Sequence, residues 1–212
     1  MKITSIDKLF ELSRVLPVVS RLMPEEGIFL AETFLLEGLK VMELTLRTAE
    51  SWETFRAIRA AFPDVILGLG SIINASQFHR ALEAGAQFIV TPGVTQDLVA
   101  AYKEASDAVW LPGVVTPSDI MLGLDAGLSV FKFFPANIFG AEKALNALNG
   151  PFPDVKFCPT GGVTLDNLEV FFAMPNVVGV GASYLAPHDL IKARKQESIR
   201  NLVKQTLLRC SA

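Results

Sequence analysis

Cysteine and histidine are scarce, with two of each in 212 residues. Cys158, Cys210, His79 and His188 stand far apart in the chain. They outline no disulfide framework and no C-x-x-C motif, and a metal site built from them is not expected. An excess of basic charge is also missing. Lys and Arg number 19 against 22 Asp and Glu, a net charge of −3, so a nucleic-acid partner is not expected. No uninterrupted apolar run reaches the roughly 18 residues of a membrane-crossing helix. The opening Met1-Lys2-Ile3-Thr4, with Asp7 and Glu11 close behind, does not read as a signal peptide. A reducing, cytoplasmic setting is the expectation. Low-complexity linkers and charge blocks are absent too, so residues 1–212 are read as a single domain.

What is present is an apolar chain, 50% hydrophobic, in which short runs alternate with amphipathic stretches. The runs are Val15–Val19, Val41–Leu46, Val65–Leu69, Phe88–Thr91, Ala108–Leu111, Ser129–Phe134, Lys156–Pro159 and Val177–Val180. Between them lie helical patterns over Glu25–Glu37, Ser51–Ala61, Ala75–Ala84, Thr95–Ala105, Ser118–Ala126, Ala141–Leu148 and Leu165–Ala173, and another follows over Glu197–Leu208. Gly38, Gly85 and Gly127 end three of these as left-handed caps would, and Thr95 and Ser118 are candidate N-caps. Eight repeats of about 26 residues predict a parallel α/β sheet closed into a single (β/α)8 TIM barrel. An extra N-terminal helix, Ile6–Ser13, is expected to cap the barrel's N-terminal end with Ile6, Leu9 and Phe10.

In such a barrel, chemistry sits at the C-terminal ends of the strands. The sixth run, Ser129-Val130-Phe131-Lys132-Phe133-Phe134-Pro135, puts Val130, Lys132 and Phe134 on one face. A lysine facing the barrel interior is costly as an ammonium, and the same cost favours a neutral amine able to attack a carbonyl. A lysine snorkelling from a strand edge is the bland alternative. In the second run, Glu43, Thr45 and Arg47 share a face opposite Met42, Leu44 and Leu46. Three polar residues fit poorly in a sheet covered on both sides, which favours a functional role over a solvated ion pair. Two glycine turns, Thr160-Gly161-Gly162 and Gly181-Ala182-Ser183, follow the last two runs, where barrels of this kind hold phosphate. Ser71, after Gly68-Leu69-Gly70, offers a hydroxyl to a bound carboxylate, while Thr91-Pro92-Gly93 reads first as a plain turn. On residues alone, three readings stay open: covalent catalysis through Lys132, a phosphate-binding isomerase or epimerase, and a non-catalytic sugar-phosphate binder.

Glu43-Leu44-Thr45-Leu46-Arg47-Thr48, Thr91-Pro92-Gly93, Phe131-Lys132-Phe133-Phe134-Pro135-Ala136 and Phe157-Cys158-Pro159-Thr160-Gly161-Gly162 occur in that order. Together they resemble the KDPG/KHG aldolase family, from about Val15 to the last helix. The resemblance implies a homotrimer of (β/α)8 barrels that uses a Schiff-base lysine, with no metal and no cofactor. Its partners would be a 2-keto acid, commonly a phosphorylated sugar acid, and pyruvate, with no membrane partner. Lys132 would be the Schiff-base lysine and Glu43 the general acid/base. Arg47 and Ser71 would bind the substrate carboxylate, Phe134 would pack on the pyruvyl part, and Pro92 would shape the wall. Thr160, Gly161, Gly162 and Ser183 would line the hydroxyl and phosphate end. The chain departs from the family pattern in three places. Ser71 stands where many members have threonine. Ser20, followed by Arg21, stands where some have a phosphate-binding arginine. Asn137-Ile138-Phe139-Gly140 stands where the family often has Glu and then a Gly-Gly turn.

Overall fold

A computed structural model of the chain describes residues 3–105 and 107–210. Met1, Lys2, Ser106, Ser211 and Ala212 fall outside these, and with them half of the opening tetrapeptide read above. Among the described residues, strands and helices alternate as the patterning predicts. Helix α1 (Ile6–Leu12) precedes β1 (Val15–Val19), α2 (Pro24–Leu36), β2 (Val41–Thr45), α3 (Ser51–Ala61), β3 (Ile66–Gly70) and α4 (Ala75–Glu83). The chain continues through β4 (Ile89–Val90), α5 (Gln96–Glu104), β5 (Trp110–Leu111), β6 (Gly113–Val114), α6 (Pro117–Asp125), β7 (Val130–Phe133), α7 (Ala141–Leu148) and β8 (Lys156–Pro159). A 3₁₀ turn at Leu165–Asn167, α8 (Leu168–Phe172), β9 (Val180–Ala182), a second 3₁₀ turn at Ser183–Leu185, α9 (His188–Lys192) and α10 (Gln196–Cys210) complete it.

Every strand pairing is parallel. The ladders form two sheets, β5-β4-β3-β2-β1-β9 and β6-β7-β8, which makes this a parallel α/β fold. The expected fifth strand is divided. Pro112 has no N–H to give to a ladder, so β5 pairs with β4 before it and β6 pairs with β7 after it. Two isolated parallel bridges, Phe157 with Val177 and Thr160 with Gly181, link the β8 segment to the β9 segment. The eighth run, expected over Val177–Val180, therefore pairs in two parts: Val177 bridges Phe157, and the ladder to β1 runs over Val180–Ala182. Gly179 and Gly181 interrupt its apolar pattern and hide the register.

Alternation along the strands sorts the apolar residues into two clusters. The larger combines Met42, Leu44, Leu67, Leu69, Phe131, Phe133 and Phe157 with helix residues such as Leu30, Phe34, Phe55 and Ile58. The smaller collects Leu16, Val41, Ile66, Val90, Leu111, Val130 and Cys158, one or two from most strands, with Ile6, Leu9 and Phe10 of α1. The cluster thus groups the apolar face of α1 with residues at or near the beginnings of β2, β3 and β7.

Helix ends follow local chemistry. Gly38, Gly85 and Gly127 have φ of +78°, +86° and +81°, the left-handed caps anticipated. The Thr95 hydroxyl accepts from Leu98 N–H at 3.3 Å. Ser118 is not a cap. Thr116 caps α6, accepting from Asp119 N–H at 3.3 Å, while the Asp119 carboxylate accepts from Thr116 N–H at 2.8 Å. This reciprocal box with Pro117 in the first turn starts the helix two residues earlier. Among the described residues, no helix is long and apolar enough to cross a membrane.

Candidate active site

Lys132 and Glu43 come from strands β7 and β2, 89 residues apart in sequence, and meet. On β2 the side chains of Met42 and Leu44 enter the larger cluster, so Glu43 and Thr45 take the opposite face. On β7, Phe131 and Phe133 do the same and leave Lys132 with Val130. Lys132 Nζ lies 3.1 Å and 3.3 Å from the two Glu43 carboxylate oxygens. The two side chains are 7% and 1% exposed. An ion pair this deep is tolerated because each charge is hydrogen-bonded to the other, and removing either partner would strand the other. The Phe134 ring lies 5.3 Å from Nζ.

Two neighbours make the pair possible. A Cβ on Gly70, at the end of β3, would lie 2.0 Å from Glu43 Oε1, so the carboxylate occupies the space of an absent side chain. Cys158, register partner of Lys132 on β8, is fully buried. Burial pushes its thiol up to about 12, opposed by the Lys132 charge and the hydrogen bond with Thr160 and reinforced by Glu43. It is a neutral thiol near pH 7, not a competing thiolate.

Arg47 and Ser71 meet at the mouth. Arg47 Nε donates to Ser71 Oγ at 3.2 Å. Ser71 directly follows β3 with φ +60°, a left-handed conformation that is uncommon for a residue with a Cβ. Thr45, on the Glu43 face, donates its hydroxyl to the Val19 carbonyl at 3.0 Å and fastens β2 to the end of β1. Pro92 is exposed, and its carbonyl backs onto Gly113, where a Cβ would come within 2.2 Å. Thr91 Oγ1 braces this turn, donating to the Gly93 carbonyl at 2.6 Å and accepting from Trp110 Nε1 at 3.1 Å.

The glycine turn is held on both sides. Thr160 is buried and bridges Gly181, where a Cβ would lie 2.1 Å from Thr160 Oγ1. Gly161 and Gly162 have φ of +95° and +77°. Ala136 N–H donates to the Thr160 carbonyl at 2.8 Å and Asn137 N–H to the Gly161 carbonyl at 3.0 Å. Asn167 Nδ2 donates to the Gly162 carbonyl at 3.0 Å. Ser183 is exposed two residues beyond Gly181, and Arg21 is exposed with φ +56° beside the partly buried Ser20.

The residues singled out from sequence thus fall into three local groups: Lys132 with Glu43 and Phe134, Arg47 with Ser71, and Thr160 through Gly162 with Gly181. Pro92 contacts none of these in a hydrogen bond. Sequence reasoning did not single out Gly70 or Asn167, and it met Asn137 only as a departure from the family pattern and Cys158 only as one of two scattered cysteines. Gly70 could have been found from a glycine inside a strand pattern, and Cys158 from its place opposite Lys132. Among the described residues, no three of His, Cys, Asp and Glu lie together as metal ligands would. A cavity of about 610 Å³ opens elsewhere, beside Arg14, Lys40, Asp64 and Cys210, and touches none of these groups.

A parallel α/β protein whose strands bury an amine against a carboxylate, with a glycine turn past the carboxyl end of β8, has the make-up of an enzyme site for carbonyl chemistry. The family follows from comparison. Residues 6–202 match the model of the KDPG and KHG aldolase family, and the chain belongs to that family. It is 39% identical to a 2-dehydro-3-deoxy-phosphogluconate aldolase of Pseudoalteromonas atlantica, over 97% of this chain and 95% of that protein. It is 38% identical to the KHG/KDPG aldolase of Escherichia coli, over 96% of this chain and 95% of that one. A KDPG aldolase of Legionella pneumophila, solved with pyruvate captured as a covalent carbinolamine, superposes with a TM-score of 0.89 at 38% identity, covering 93% and 95% of the two chains.

Proposed function

We propose that this chain is a Schiff-base aldolase. It cleaves 2-keto-3-deoxy-6-phosphogluconate to pyruvate and glyceraldehyde 3-phosphate, and 4-hydroxy-2-oxoglutarate to pyruvate and glyoxylate. The observation that carries this is the buried pair of Lys132 and Glu43 at 3.1 Å, in a family with a relative that holds pyruvate covalently. Passing one proton from Nζ to the carboxylate frees the amine without changing the net charge buried. The amine adds to the C2 ketone, and Glu43 returns a proton as the carbinolamine loses water to become an iminium. Loss of the C4 hydroxyl proton breaks the C3–C4 bond, and its electrons move into the iminium to give an enamine. Protonation at C3 and hydrolysis release pyruvate and restore Lys132. Positioned proton transfer of this kind contributes roughly 10²–10⁴-fold.

Arg47, oriented by Ser71, holds the substrate carboxylate in this reading, and Phe134 packs on the pyruvyl part. Pro92 forms the wall. Thr160, Gly161, Gly162, Gly181 and Ser183 receive the hydroxyl and phosphate end, mainly through backbone N–H groups. Residues 1–212 act as one domain in which the two sheets join through the split fifth strand into a closed (β/α)8 barrel with α1 across its N-terminal end. The bridges between the β8 and β9 segments support that closure. The working form is a homotrimer in the cytoplasm, and exposed Ile73, Met121, Ile138 and Phe139 are available to its contacts.

Pyruvate with borohydride tests the central claim. Reduction should inactivate the protein and add a pyruvyl-derived group to Lys132, read by peptide mass mapping. A label on another lysine, or full aldolase activity with no label, overturns it.

A further inference from the structure

Strand β1 is paired on both sides, to β2 and to β9. Val15 and Val19 enter the larger cluster with the helix residues, and Leu16 enters the smaller one, so Leu16 and Val18 point inward. Val15, Leu16, Pro17 and Val19 are buried, and Val18 is only half-buried. With both edges paired and the outer face under helices, the exposed part of an inward side chain near the carboxyl end of the strand opens into the mouth of the site. Val18 is the register partner of Glu43. The other register partner of Glu43, Gly68 on β3, has no side chain, so the aliphatic surface flanking the carboxylate across the sheet is that of Val18. On its other side, β9 pairs Ala182 with Pro17, one residue short of Val18, which sets Val18 beside the Gly181-Ala182-Ser183 turn.

We infer that Val18 is a specificity-determining residue, whose side chain limits the size of the aldehyde that the site releases and takes up. The inference rests on the aldolase reading above and deepens it. In that reading Lys132 and Glu43 hold the ketone end of the substrate, and the glycine turns past β8 and β9 hold its far end. Between Glu43 and the β9 turn lies β1, and Val18 is its inward side chain at that level. The part of the substrate that passes there is the aldehyde carbon, C4, and what it carries. Glyoxylate puts only a carboxylate beyond that carbon, whereas glyceraldehyde 3-phosphate puts two further carbons and a phosphate. A branched apolar side chain makes contact without a hydrogen bond, so it discriminates by size. One methylene more or less in such a contact changes relative rates by roughly 10–200-fold.

The experiment runs the reaction toward synthesis in wild type, Val18→Leu and Val18→Ala, joining pyruvate to glyoxylate or to glyceraldehyde 3-phosphate. Exchange of the pyruvate methyl protons with deuterated water is followed by NMR without any aldehyde, because that step ends at the enamine. The kcat/KM ratio of glyceraldehyde 3-phosphate to glyoxylate should fall about tenfold or more in Val18→Leu and rise in Val18→Ala, in each case by more than exchange changes. Ratios that stay at the wild-type value put position 18 outside the path of the substrate and overturn the inference. Equal losses with both aldehydes and in exchange make Val18 a packing residue of β1 and also overturn it, as does a ratio that moves in the same direction in both variants. Wild-type protein that exchanges no pyruvate protons and joins pyruvate to neither aldehyde sinks the aldolase reading, and the inference falls with it.

Discussion

Replacing Gly70 with alanine (Gly70→Ala) reaches the Lys132–Glu43 pair without altering either residue. The new methyl would lie 2.0 Å from Glu43 Oε1, 2.7 Å from Cδ and 2.8 Å from Cγ. Ordinary contact begins near 3.4 Å, so the carboxylate must withdraw by about 1.4 Å if the strand holds its place. The pair stands at 3.1 Å, and a retreat of that size breaks its hydrogen bond. Misplacing a reacting group by about 1 Å can cost roughly 10²-fold, so kcat should fall at least that far. Overpacking costs about 1–3 kcal/mol, which lowers Tm by roughly 2–12 °C in a chain of this length. Gly68→Ala is the control. It sits on the same strand, and the atoms nearest its methyl would be those of the Phe88 ring, at 2.3 Å, in place of the Glu43 carboxylate. Both variants should lose stability, and only Gly70→Ala should lose kcat and slow the trapping of pyruvate by borohydride. Equal kcat in the two folded variants would refute the idea that the carboxylate's place beside Lys132 governs turnover.

Further outcomes follow from other features. Glu43→Gln should still bind pyruvate but turn over roughly 10²–10⁴-fold more slowly, and near-wild-type kcat would show that another group carries the protons. The Cys158 thiol titrates near 9 when free and near 12 when folded, so the folded state holds its proton more tightly. Its contribution to stability is intact below pH 9 and declines as pH rises toward 12. Denaturant titrations across that range should show a steeper alkaline loss for wild type than for Cys158→Ala. Identical slopes would mean that the thiol is not held neutral. Thr116→Ala removes the cap of α6 and should cost about 1 kcal/mol in denaturant melts while leaving kcat alone.

The pair itself was legible because a strand has a period of two. Phe131 and Phe133 demand the helix-covered face, and that alone turns Lys132 to the other side. Met42 and Leu44 do the same for Glu43. Runs bounded by strong local signals kept their limits, as Val15–Val19, Ser51–Ala61, Ala141–Leu148 and Lys156–Pro159 show. The split at Pro112 was not legible, because a proline after an apolar run reads as the end of a strand and not as a change of pairing partner. Helix α9, five residues long, is too short to display a period. Ser118 was mistaken for a cap because Asp119, whose side chain closes the box on Thr116, looks like any other acidic residue in a first turn. Gly70 and Gly162 mark a harder limit. A glycine announces that space is needed, but only the folded arrangement shows that Glu43 fills the first space and Asn137 the second.

The packing of α1 also bears on how the chain is made. Ile6, Leu9 and Phe10 leave the ribosome ahead of every strand, yet their partners are spread from Leu16 to Cys158. Until roughly three quarters of the chain has emerged, this apolar face has no complete seat. Nascent chains stalled before β8 therefore expose a sticky amphipathic helix next to unpaired parallel strands, the kind of surface that chaperones engage and that aggregates when they do not. A late stall, after Cys158 is out, should let α1 seat, while β1 still waits for β9. The seating of the helix thus marks when the smaller of the two apolar clusters can close.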